Sequence, residues 1–205
     1  IGVPVIFVCS LLPDMGKSEI GERISISLKK LHRKPLFIAS NPMWSEFGYV
    51  IFPFAAIGSE NPIYDLNRFV VEQLSHGEYD ILVICIPGGI ISSPMYNYYC
   101  DYGLLSFLTS RALRPSYILN CIHQNTENAN LIPEYFYPFT INRHFRTDRI
   151  LDTNTYDHPE AKRNIKIDIS VKSDDEWNVF SNDSYDNVAT EIITHLSKIQ
   201  KEIKQ

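Results

Sequence analysis

The chain has 205 residues, a formal net charge of −5 and 44% apolar residues, which is enough for one full α/β core. That acidity argues against a general binder of nucleic acid or of an acidic membrane surface. No apolar run approaches the roughly 20 residues that a membrane-spanning helix needs.

The elements follow in chain order. Pro4 to Cys9 is an unbroken apolar run bounded by turn residues, the pattern of a buried strand. From Ser18 a helix is predicted, with Ile20, Ile24, Leu28 and Leu31 on one stripe and a basic C-terminal end at Lys29, Lys30 and Lys34. Pro35 to Ala39 is a second strand. Asn41 to Gly58 reads as a loop with a short strand at Tyr49–Phe52. Asn61 and Pro62 open a second helix that Gly77 stops. Asp80 to Ile86, apolar on both faces, is a central parallel strand ended by Pro87-Gly88-Gly89. A third helix fits Tyr102 to Leu113, and a strand follows over Ser116 to Ile122. Residues from Gln124 to Asn164 carry no assignable period. Ile165, Ile167, Ile169 and Val171 alternate with polar residues as in a half-buried edge strand. A polar turn over Lys172 to Ser184 then leads to a C-terminal amphipathic helix marked by Val188, Ile192, Leu196, Ile199 and Ile203. The alternation predicts an α/β fold with a doubly wound, mostly parallel sheet of the P-loop type, and an antiparallel or edge strand near the C-terminus. It reads as a single domain over 1–205, and the start at Ile1 reads as an excision from a longer chain. The four cysteines (Cys9, Cys85, Cys100 and Cys121) show neither CxxC pairing nor metal spacing, and no signal peptide is visible, so a cytoplasmic setting is the simplest.

The segment from Val5 to Glu19 carries the chemistry. A strand, a short turn, Gly16-Lys17-Ser18 and a helix are the order that a phosphate-binding loop requires, because backbone N–H groups and the helix N-terminus then face an anion. Asp14, Met15, Gly16, Lys17 and Ser18 form the candidate phosphate or nucleotide site, with Gly88 and Gly89 as the turn that senses a terminal phosphate. Lys17 would reach phosphate oxygens and Ser18 would ligate Mg²⁺, with ATP or GTP as the cofactor. The loop departs from the standard pattern: the glycine five residues before Gly16 is Leu11, and a longer variant would place it at Ser10. No catalytic residue follows from the pattern, and nucleotide turnover would be weak or absent. Asp14 and Glu19 either orient Mg²⁺ or water, or complement the helix dipole. Cys9 and Cys85 are either inert core thiols or a redox pair at the ends of neighbouring strands. Tyr96, Tyr98 and Tyr99, near Tyr102, either anchor a protein or peptide partner or pack beneath a loop. Arg143, His144, Arg146 and Arg149 form a basic patch that either meets a phosphate or acidic peptide or pairs with nearby Asp148 and Asp152.

In layout the chain resembles nucleotide-dependent switch proteins of the nitrogenase-iron-protein and dethiobiotin-synthetase class. Phe7 to Ser18 aligns with the synthetase-type loop without a gap, with Ser10 where glycine is expected. Asp80 to Gly89 aligns with their acidic strand, with Cys85 at the metal-associated acid position. Proteins of that class often form homodimers. The segments Val5-Ile-Phe-Val-Cys9, Ser18-Glu-Ile20, Ile38-Ala-Ser40, Ser45-Glu-Phe-Gly48, Phe52-Pro-Phe54, Asp80 to Ile90 and Tyr102-Gly-Leu-Leu105 are similar to the peptide maturation system proteins. These are encoded beside radical-SAM enzymes in clostridial clusters for ribosomally made, modified peptides. The resemblance covers roughly the first 60% of the chain, and Ile86-Pro-Gly-Gly-Ile90 is its most specific element. It implies a cytoplasmic accessory protein that handles a precursor peptide or its radical-SAM modifying enzyme. The alternative is a non-catalytic interaction module on the same fold with an empty loop.

Overall fold

A computed structural model of the chain describes residues 2–10, 16–90, 103–123, 142–147, 167–173, 176–180 and 185–202. Asp14, Met15, Tyr96, Tyr98 and Tyr99 lie outside the described residues, as do the side chains of the Arg143 to Arg149 patch.

The strands are β1 (Val5–Ser10), β2 (Pro35–Ala39), β3 (Val50–Ile51), β4 (Ile81–Cys85), β5 (Tyr117–His123), β6 (Asn142–Thr147), β7 (Ile167–Ser173) and β8 (Glu176–Phe180). They form one sheet in the order β3-β2-β4-β1-β5-β6-β7-β8. Pairing is parallel from β3 through β6 and antiparallel at β6–β7 and β7–β8. The helices are α1 (Lys17–Lys30), α2 (Phe54–Ile57), α3 (Pro62–Ser75), α4 (Leu104–Ala112) and α5 (Tyr185–Glu202). The expected doubly wound, mostly parallel α/β sheet with an antiparallel strand near the C-terminus is what the chain forms.

Alternation along each strand divides the core into two layers. Ile6, Val8, Val83, Cys85, Tyr117, Leu119 and Cys121 face Ile20, Ile24 and Leu28 of α1 and Val188, Ala189 and Ile192 of α5. Phe7, Cys9, Leu82, Ile84 and Ile118 face Leu66 and Val70 of α3 on the other side. The buried Tyr117 hydroxyl donates to Glu191 Oε1 at 3.0 Å, so α5 is tied to β5 by a polar bond inside an apolar seam.

Several boundaries differ from the sequence-based expectation. The alternating segment near the C-terminus is not at the edge: β7 lies one strand in, and β8 occupies the edge within the span read as a polar turn. Trp177, Val179 and Phe180 favour a strand but are interrupted by Asn178 in an otherwise polar stretch, and antiparallel pairing to β7 makes the strand there. The unassigned stretch 124–164 holds β6, which pairs in parallel with β5. The 41–58 loop contains a 3₁₀ turn over Pro42–Phe47, capped by the Asn41 side chain accepting from Met43 N–H, and the single-turn α2.

Candidate functional site

β1 ends at Ser10, and α1 begins at Lys17 on the layer that α1 and α5 cover. Gly16 is the N-cap with φ 74°, a left-handed conformation that favours glycine, and it offers no side-chain cap to the first turn. The α1 N-terminus therefore stands at the carboxyl end of the parallel strands, where ligands of open α/β sheets bind. The turn after β4 brings a second left-handed glycine, Gly88 (φ 70°), to the same end.

Lys17 joins these pieces. Its side chain is buried, and Nζ donates to Ser10 Oγ at 2.7 Å and to the Gly88 carbonyl at 2.8 Å. The turn is also bonded to β1 through the main chain: Ile90 N–H donates to the Ser10 carbonyl and Ile86 N–H to the Val8 carbonyl, both at 2.9 Å. From α4, the Ser106 hydroxyl reaches the Gly89 carbonyl at 3.5 Å. Lys17, Ser10, Gly88 and Gly89 thus form one connected cluster. Gly16, Lys17, Ser18, Gly88 and Gly89 are brought together at one end of the sheet.

Ser18 is also engaged. Its Oγ lies 3.1 Å from Ser40 Oγ and accepts from Ser40 N–H at 3.3 Å, at the end of β2. Cys85 stands below α1, where its Sγ donates to the Lys17 carbonyl at 3.2 Å. Burial pushes this thiol well above its ordinary value, the neighbouring Cys121 adds to the shift, and the Lys17 ammonium opposes it. The thiol is thus a neutral donor. Two serine hydroxyls and a protonated thiol are not the oxygen-rich donor set that a hydrated Mg²⁺ requires, and the described residues contain no cluster of three metal-ligating side chains. These residues do not fit a Mg²⁺ held by the protein itself.

Of the other cysteines, Cys9 lies on β1 and Cys121 on β5, and Cys100 lies outside the described residues. Val8 pairs with Cys85 and Ser10 with Cys121, so Cys9 and Cys85 do lie on neighbouring strands. They belong to opposite layers of the sheet, however, and Cys9, Cys85 and Cys121 are all free and buried. Desolvation raises all three thiols, Cys121 to about 12, which is the behaviour of inert core residues. Glu19 makes an i,i+4 ion pair with Arg23 at 3.0 Å on the exposed face of α1.

Asn120 falls within the strand expected over Ser116 to Ile122, and the segment from Asn120 to Asn125 is a third feature that the sequence places at the carboxyl ends of the strands. Asn120 lies on β5 opposite Cys9, is fully buried, and neither Oδ1 nor Nδ2 has a hydrogen-bond partner. A shallow cleft of about 640 Å³, lined by Lys29, Arg33, Lys34, Tyr49 and Tyr79 among others, opens at the far end of β2 from Ser40 and takes no part in the cluster.

No protein-family model matches the chain, and no curated protein matches it. Fourteen solved chains are similar in structure. One is a DUF1611-family protein from Anabaena variabilis, with 12% identity and a TM-score of 0.47 over 62% of this chain and 34% of that one. Another is chloroplast FtsY from Physcomitrella patens, with 12% identity and a TM-score of 0.34 over 58% of this chain and 40% of that one. The chain thus spans well under half the length of either, and likenesses of this size say nothing of function.

Proposed function

We propose that this chain is a phosphoryl-binding module in which Gly16, Lys17 and Ser18 receive the ligand and the Gly88-Gly89 turn reports its arrival. The observation that carries the reading is the Lys17 ammonium, buried at an uncapped helix N-terminus and bridging Ser10 Oγ to the Gly88 carbonyl. A cation there adds to the positive end of the α1 dipole, so a phosphoryl oxygen is a stronger partner for it than either neutral acceptor. When the ammonium turns to phosphate, the Gly88 carbonyl loses its donor. The turn is then free to adjust, and the chain leads directly from it into Tyr96, Tyr98 and Tyr99. ATP or GTP is the ligand class this reading favours. Cys85 in place of a carboxylate favours binding without efficient hydrolysis, and Ser18 would meet a cation only as part of a nucleotide complex.

Together with the resemblance to peptide maturation system proteins, this reading makes the chain a cytoplasmic accessory protein. The tyrosine segment would engage a precursor peptide or its radical-SAM enzyme, with dimerisation open to test. The rival is an interaction module whose loop binds nothing, and the engagement of both Lys17 and Ser18 by protein partners is the observation in its favour. Calorimetric titration with ATP and with GTP, with and without Mg²⁺, separates the two. Micromolar binding that Lys17→Ala abolishes while the fold survives is the expected result. No heat and no thermal shift at millimolar nucleotide would establish the empty module and move attention to the tyrosine surface.

A further inference from the structure

Ser10 is the last residue of β1, fully buried, and one hydroxyl away from the only loop cation whose geometry is described. Its main chain is already committed: it pairs with Cys121 on β5, and its carbonyl accepts from Ile90 N–H. The residue is therefore held in place by β5 on one side and by the turn after β4 on the other, and its Oγ meets Lys17 Nζ at 2.7 Å. A glycine at this position would leave that acceptor out. The ammonium would keep the Gly88 carbonyl and be correspondingly easier to draw toward a ligand.

We propose that Ser10 is a positioning residue that sets the affinity threshold of the site, by acting as the resident acceptor of Lys17. The inference rests on the phosphoryl-binding reading above. A ligand must displace a fixed, neutral hydroxyl from a buried ammonium, and a terminal phosphoryl group carrying two negative charges does so because charge-assisted hydrogen bonds outweigh neutral ones. Neutral and singly charged ligands gain too little. Ser10 thus weakens every ligand that draws Lys17 away by a common factor, and only a ligand with a large gain on Lys17, such as a terminal phosphoryl group, clears that threshold.

The test is titration of the unaltered chain, Ser10→Ala, Ser10→Cys and Lys17→Ala with ATP and with GTP, each protein first shown to be folded by thermal unfolding. The cysteine variant keeps the side-chain shape at a slightly larger volume but offers a poor acceptor, and it serves if the alanine variant fails to fold. Removing the acceptor is expected to tighten nucleotide binding about tenfold, the worth of one charge-assisted hydrogen bond. In a Lys17→Ala background the same Ser10 change is expected to restore no binding; any binding it restored there would act without Lys17 and overturn the role of Ser10. Unchanged or weaker binding in the Ser10 variants, with the unaltered chain still binding through Lys17, would overturn the role of Ser10 and leave the phosphoryl reading standing. No binding by any variant would overturn the phosphoryl reading and the role of Ser10 with it.

Discussion

Gly21→Ala is a substitution on which local and tertiary preferences oppose each other, and the geometry sets the sign. Gly21 lies one turn into α1 with an ordinary helical backbone, so helix propensity alone favours alanine by about 1 kcal/mol. A Cβ at this position, however, would come within 2.6 Å of Cys85 Sγ and 2.7 Å of Phe37 Cε2. Neither neighbour can yield easily. Cys85 is fully buried and bonded to the Lys17 carbonyl, and Phe37 is 6% exposed and packed edge-on against Trp44 and Tyr49. Overpacking of this kind costs about 1–3 kcal/mol, and two contacts this short put it at the upper end, so after the propensity gain the expected net loss is about 2 kcal/mol. For a chain of this size that lowers Tm by about 4–8 °C. Thermal and urea unfolding measure it, and Phe37→Leu in the same background should cost less than the sum of the two single changes, because it opens one of the two contacts. An unchanged or higher Tm would refute the reasoning, since it would mean that α1 can lift from β2 and β4 without loss.

Two further expectations concern buried polar groups. Asn120→Leu keeps the branched side-chain shape and removes an amide whose burial without partners costs about 1–3 kcal/mol, so after some overpacking by the larger methyls stability should be unchanged or up to about 1 kcal/mol higher; a urea midpoint showing a loss of more than about 2 kcal/mol would mean the amide is satisfied in solution. Cys9, Cys85 and Cys121 hold their protons above the ordinary value of 9.0, because burial disfavours the thiolate. The folded chain therefore keeps protons that the unfolded chain releases. The thiol contribution to stability is complete below pH 9.0 and is lost as pH rises from there towards about 12, where Cys121 titrates in the fold. In a Cys100→Ser background the folded protein at pH 8 should be inert to an aromatic disulfide reagent and should react in urea; rapid reaction of any of these thiols in the folded state would refute their burial.

Strong apolar runs made much of this fold legible before any tertiary information. Val5 to Cys9 and Ile81 to Ile86 are apolar on both faces because they lie in the middle of a parallel sheet, and α1 announced itself by a stripe of which Ile20, Ile24 and Leu28 pack on that sheet while Leu31, at the helix C-cap, is exposed. The loop was legible for a related reason: a strand, Gly16-Lys17-Ser18 and a helix stand within one short stretch of chain. β6 and β8 were not legible, since their residues satisfy strand geometry only through the partners beside them. The sequence by itself determined that a cation and a hydroxyl stand at a helix N-terminus above a parallel sheet. Only the tertiary structure decided what those groups touch. Lys17 meets a carbonyl 71 residues away and Ser18 a hydroxyl 22 residues away, while the Cys85 thiol reaches the Lys17 carbonyl across 68 residues. Such contacts depend on strand order and register, which bring distant segments to one end of the sheet, and no local pattern encodes that order.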